Sequence, residues 1–174
     1  MTEVLLFGKP VHLVGEPPRP GEPARDFEVH RFTPDTGLVP VRLADLPAKP
    51  RLLSAVPSLD TPVCDAQTKR FNEEAAKLSG VDIITVSMDL PFAQKRWCGQ
   101  FGVDQVKMLS DHKDGSFGSN YGTLIKELRI ESRAIFVLDQ QNRIKHVEYV
   151  KEVADFPNYD AALAAARGAV GASA

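Results

Sequence analysis

The stretch Arg51-Leu52-Leu53-Ser54-Ala55-Val56-Pro57-Ser58-Leu59-Asp60-Thr61-Pro62-Val63-Cys64 decides the fold. Its apolar run from Leu52 to Val56 is too short for a helix and reads as a buried strand. From Cys64 to Ser79, Phe71, Ala75 and Leu78 share one helical face, and Gly80 supplies a stop signal. Val81 to Val86 reads as a second buried strand, followed by Pro91 at a first helical position and a helix ending near Gly102. A strand feeding a helix, twice in succession, is the signature of an α/β sheet.

Working outward, Val4 to Phe7 and Val11 to Val14 flank Gly8-Lys9-Pro10 and predict a short hairpin. Glu16 to Arg25 carries Pro17, Pro18, Pro20 and Pro23, which cannot donate to a ladder, so this stretch reads as an extended arm. Phe27 to Phe32 and Leu38 to Leu43 form a second hairpin around Thr33-Pro34-Asp35-Thr36-Gly37, with Pro40 suited to an edge strand. Beyond the polar, glycine-rich stretch from Asp111 to Gly122, Ala134 to Leu138 and Ile144 to Val150 pair across Gln140-Gln141-Asn142. Tyr159, Leu163, Ala166 and Val170 mark a closing amphipathic helix. This element order predicts a thioredoxin-like α/β fold with an added N-terminal β-hairpin, in one domain spanning residues 1–174. There is no internal repeat, and a fold by itself assigns no function.

Composition narrows the classes. A chain of 174 residues with 43% hydrophobic and 25% charged residues is ordinary for a globular protein, and its net charge of -2 offers no basic stripe for nucleic acid. No run of about 18 apolar residues exists to cross a membrane. Met1 to Lys9 shows neither a basic start nor a small-residue cleavage site, so a cytoplasmic location is expected. The chain has only two cysteines, too few for a secreted disulfide scaffold; a bond between them in a reducing compartment would be transient or catalytic.

Cys64 falls in the first turn of the helix that the first strand feeds. Unpaired N–H groups and the helix dipole there favour an anion, raising the fraction of reactive thiolate. Thr61, on the same loop, can offer its hydroxyl to that thiolate or to a peroxide oxygen, and Pro57 and Pro62 would stiffen the loop. Each has a plainer reading: Cys64 as a small buried hydrophobe, Thr61 as a helix cap, Pro57 as a turn residue. Cys98 would otherwise be a helix residue packed beside Trp97, and Arg133 a solvated charge at a strand start. His12, His30, His112 and His146 are scattered in sequence without ligand spacing, so no metal site is expected. There is no GxxxxGK[ST], GxGxxG or GxSxG sequence. Phe92, Trp97 and Phe101 are spaced like core-facing helix residues, with lining of an organic ligand site as the alternative.

Pro57-x-x-x-Thr61-x-x-Cys64 resembles the peroxiredoxin active-site motif. The wider Pro57-Ser58-Leu59-Asp60-Thr61-Pro62-Val63-Cys64, with Ser87-Met88-Asp89-Leu90-Pro91-Phe92-Ala93-Gln94-Lys95-Arg96-Trp97-Cys98, is similar to the thiol peroxidase subfamily. The likeness extends through the N-terminal hairpin and Arg133-Ala134-Ile135-Phe136-Val137-Leu138-Asp139. It implies Cys64 as the peroxidatic thiol and Cys98 as the resolving thiol of the same chain, with Pro57, Thr61 and Arg133 completing the peroxide site. It further implies a hydroperoxide substrate, thioredoxin as reductant, a homodimer, and no metal, flavin or haem cofactor. Glu131 and Ser132 depart from the smaller or apolar residues usual before this arginine, which leaves Arg129 as a competitor for its role. A second function class stays open, a signalling module in which the two thiols form a redox switch.

Overall fold

The computed structural model describes residues 2–171. Its first hairpin joins β1 (Glu3–Leu6) to β2 (Lys9–Val14). The turn falls on Phe7 and Gly8, at φ 50° and 73°, rather than on Gly8-Lys9-Pro10, and Lys9 and Pro10 open β2. Two left-handed residues match the twist of paired strands. Phe7 tolerates that conformation with its N–H and that of Gly8 donating to the Glu152 carboxylate at 3.0 and 2.9 Å, a partner that no local pattern announces.

The proline-bearing arm runs against the far hairpin, with Gly21 N–H donating to Ile144 O and Ala24 N–H to Asn142 O. β3 (Glu28–Thr33) and β4 (Gly37–Arg42) follow, and β4 with Pro40 is the edge strand expected. Then come β5 (Arg51–Ala55), α1 (Pro62–Ala75), β6 (Asp82–Ser87) and α2 (Pro91–Phe101). α1 starts two residues before Cys64 and ends short of Gly80, at an Ala76 cap. α2 closes at Gly102 in the left-handed conformation, φ 65°.

Four further elements carry too little pattern to read in sequence. β7 (Lys107–Ser110) has four residues, α3 (Ser116–Tyr121) six, and β8 (Leu124–Ile125) and β9 (Ile130–Glu131) two each. β10 (Ala134–Leu138), β11 (Ile144–Tyr149) and α4 (Tyr159–Gly171) complete the chain as expected. On α4 the buried face uses Ala169, while Val170 is 39% exposed.

The main sheet runs β11-β10-β5-β6-β7-β3-β4, with β5, β6 and β7 parallel. Every residue of β5, β6 and β10 is buried because both faces are covered, which explains their largely apolar runs, interrupted by Ser54 in β5 and Thr85 in β6. One core joins Leu52, Ile83 and Ile135 to Phe71 of α1, Trp97 of α2 and Leu163 of α4. The other joins Leu53, Ile84 and Phe136 to Val29, Phe117 and Tyr121. A smaller sheet, β1-β2-β8-β9, encloses Val4, Leu13 and Ile125. Helices on both faces of a mixed sheet, with the β1–β2 hairpin added, make this a thioredoxin-like α/β fold.

Candidate active site

Cys64 is fully buried in the first turn of α1. Thr61 is the N-cap: its Oγ1 accepts from Cys64 N–H at 3.4 Å and donates to Ser58 O at 3.1 Å. The hydroxyl therefore serves the backbone on both sides in this structure. Pro62 takes the first helical position, where its missing N–H costs nothing. Pro57 is buried at the end of the strand.

Arg133 sits far along the chain, yet sheet pairing delivers it to Cys64. Ala134 on β10 is opposite Ala55 on β5, in antiparallel register, so the residue before Ala134 lies beside the segment leaving β5. Arg133 is 2% exposed, and its guanidinium is held on three sides. Nη2 donates to Cys64 Sγ at 3.3 Å, Nη1 to Gln67 Oε1 at 2.5 Å, and Nε to Val153 O at 2.8 Å. A guanidinium fixed in this way sets a permanent positive charge and an N–H donor against Cys64 Sγ, beside the positive end of α1. Arg129 stands exposed in the turn between β8 and β9, with φ 57°.

Glu131 and Ser132 are both buried. Glu131 accepts from Thr123 Oγ1 through Oε2 while its Oε1 has no hydrogen-bond partner, and burial pushes its carboxyl and that of neighbouring Asp111 upward. The two Asp111 oxygens already accept from the N–H groups of Phe117 and Gly118, at 3.1 and 2.8 Å. Asp111 is thus the better-satisfied carboxylate of the two, and the upward push is the greater at Glu131.

Gln67 is the residue that inspection of motifs passes over. It lies three positions after Cys64 on the same helical face, a spacing that could have flagged it. Wholly buried, it receives Arg133 on one side and donates to Ser54 Oγ at 2.8 Å on the other.

Cys98 is half-buried on α2, its thiol pushed up by burial, with Lys95 opposing the shift. It lines a groove of about 770 Å³ between α2, β3 and β4, together with Phe32, Pro40, Leu46 and Val106. Both cysteines are free thiols. Of the expected aromatic face only Trp97 is core, at 3% exposed. Phe92 is 51% exposed and leans on Phe32, and Phe101, 42% exposed, lies beneath Lys69 Nζ at 3.8 Å. A helix on a sheet buries one narrow stripe, and Gln94, not Phe101, shares it with Trp97.

The histidines are less scattered in space than in sequence, since the His30 and His112 rings meet edge to face at 5.6 Å. Among the described residues no three His, Cys, Asp or Glu side chains are grouped to hold a metal. No helix there is long and apolar enough to cross a membrane.

A family model described as Redoxin matches residues 19–163. The thiol peroxidase of Staphylococcus aureus (strain MRSA252) is 52% identical over 165 residues, covering 95% of this chain and 98% of that protein. The thiol peroxidase of Bacillus subtilis (strain 168) is 49% identical over 170 residues, covering 98% and 99%. Among solved structures, a peroxiredoxin-like protein from Aquifex aeolicus superposes with a TM-score of 0.86 at 37% identity, covering 98% of both chains. A thiol peroxidase from Chromobacterium violaceum has a TM-score of 0.80 at 21% identity over 92% of this chain and 93% of its own, a likeness of fold alone.

Proposed function

The chain belongs to the Redoxin family, as a peroxiredoxin of the thiol peroxidase type, and on that premise we propose that it reduces hydrogen peroxide and organic hydroperoxides with Cys64 as nucleophile and Cys98 as resolving thiol. The observation that carries this reading is the Arg133 guanidinium, 3.3 Å from Cys64 Sγ at the start of a helix.

The thiolate of Cys64 attacks the distal peroxide oxygen. The O–O bond breaks, the leaving oxygen departs as water or alcohol after taking a proton, and sulfur is oxidised to sulfenic acid. Arg133 holds the attacking sulfur and presents donors to the oxygens as charge shifts onto them. The thiol of Cys98 then displaces hydroxide from the sulfenic sulfur, releasing water and forming the Cys64–Cys98 disulfide. An external dithiol exchanges with that bond, leaving as a disulfide and restoring both thiols; thioredoxin is the proposed donor. Pro57 and Thr61 shape the loop that receives the peroxide. A cytoplasmic location and a homodimer belong to the same proposal and rest on the family likeness.

A coupled assay with thioredoxin, its reductase and NADPH tests this, using hydrogen peroxide and cumene hydroperoxide. Continuous NADPH consumption is expected with the parent chain, none with Cys64→Ser, and a strong loss with Cys98→Ser. Stoichiometric oxidation without turnover would favour a redox switch over an enzyme.

A further inference from the structure

Asp89 lies outside the motif around Cys64, two residues before α2, and half-buried. Its carboxylate accepts three donors from two parts of the chain, and its backbone carbonyl reaches a third. Oδ1 accepts from Ser58 Oγ at 2.7 Å, and Oδ2 accepts from Leu59 N–H at 2.8 Å and Ser87 Oγ at 2.7 Å. The Asp89 carbonyl accepts from Ser110 Oγ at 2.5 Å. The loop before α1 is thereby fastened to the ends of β6 and β7.

From that carboxylate an unbroken path leads to the reactive cysteine. Ser58, held through its hydroxyl, offers its own carbonyl to Thr61 Oγ1 and Thr61 N–H, both at 3.1 Å, and Thr61 Oγ1 caps Cys64 N–H. On the other side Gln94 pins the first turn of α2 to the same strand ends, donating to Ser87 Oγ and Leu109 O at 3.0 Å each. Cys98 lies one turn beyond that pin, among exposed Lys95, Arg96, Gly99 and Gln100.

We propose that Asp89 is a positioning residue for the peroxide reaction, holding the Cys64 loop in register with the strand ends so that it stays in place while the Cys98 part of α2 changes conformation. The inference rests on Cys64 being the peroxidatic thiol. A carboxylate is suited to the task because it accepts all three donors at once, and hydrogen bonds to an ionised acceptor are the stronger kind. Asparagine would keep one acceptor oxygen and bring an N–H₂ against Leu59 N–H or Ser87.

The test is the rate of Cys64 oxidation by hydrogen peroxide in a Cys98→Ser background, comparing the parent with Asp89→Ala, Asp89→Asn and Ser58→Ala. Misplacing a reacting group by about 1 Å can cost on the order of a hundredfold. Asp89→Ala should slow oxidation tenfold to a hundredfold on that scale. Asp89→Asn should recover part of the loss, and Ser58→Ala should cause a smaller loss that does not add to that of Asp89→Ala. Alkylation of Cys64 by iodoacetamide, which needs a thiolate but no aligned peroxide, should not slow in parallel. Ser58→Ala removes a single bond and keeps the test decisive where Asp89→Ala fails to fold. Equal peroxide rates in a reactive parent and all variants would overturn the role of Asp89 alone. A parent unreactive toward peroxide would overturn the role of Cys64, and this inference with it.

Discussion

Gln67 and Glu131 show how much of the site rests on single buried side chains. Gln67 spans Arg133 and Ser54, and an apolar replacement would leave Nη1 of a buried cation without its acceptor. Such a loss typically costs about 3 kcal/mol where the lost group fixes a transition-state donor. Gln67→Leu and Arg133→Gln should therefore each slow Cys64 oxidation on the order of a hundredfold, read by stopped-flow tryptophan fluorescence, with circular dichroism unchanged. Glu131 makes a prediction about pH. Burial and the facing Asp111 hold its carboxyl well above the usual 4.5, with Thr123 opposing by hydrogen bond and Arg129 by charge. A raised carboxyl contributes fully below its unfolded pKa and loses that contribution as pH rises toward the folded value. Glu131→Gln sets an N–H₂ donor beside Asp111 without a titrating proton. Denaturant unfolding should find the variant close to the parent near pH 4 and progressively more stable than the parent towards pH 8. A difference independent of pH would mean that Glu131 is ionised in the folded chain.

At the scale of elements, the proposed Cys64–Cys98 disulfide requires a helix to open, and α2 is the one it would open. Its first turn is pinned by Gln94, and its last is closed by Gly102 and Val103 N–H groups donating to Cys98 O. A disulfide requires Cα atoms within about 7 Å, and residues on two different helices seldom meet that condition. Unwinding residues 95–102 would free Cys98 at a fraction of the global stability. Amide exchange around Cys98 should accordingly quicken on oxidation, while β5 and β10 stay protected and Gln94 changes little. Faster exchange in α1, with α2 unchanged, would place the opening in the wrong helix. The same elements show what sequence discloses. α1 was legible from its periodic apolar residues and α2 from Pro91 and Gly102 at its ends, although Gly80 lies beyond the end of α1 at Ala76. α3 was not, since six residues between Gly115 and Gly122 are too few to display a period, and β7 was hidden because it has only Met108 and Leu109 to announce it.

For the whole molecule, topology converts distant sequence into local chemistry. Cys64, Thr61 and Pro57 form one loop and are readable together, and the likeness to a known family brought in Arg133 and Cys98. What no linear pattern contains is the register of β10 against β5, which brings Arg133 to the sulfur, or the stitching of the added hairpin. There Leu5 exchanges hydrogen bonds with Lys151 O and Val153 N–H, and Val153 O in turn accepts from Arg133 Nε. The hairpin thus braces the segment that braces the arginine. The central claim is the division of labour between the two thiols, and peptide mass mapping of the Cys98→Ser chain after one equivalent of hydrogen peroxide tests it most directly. The expected result is one oxygen added on the peptide bearing Cys64; a chain left unmodified there, or a Cys64→Ser chain consuming peroxide at the parent's rate, would contradict it.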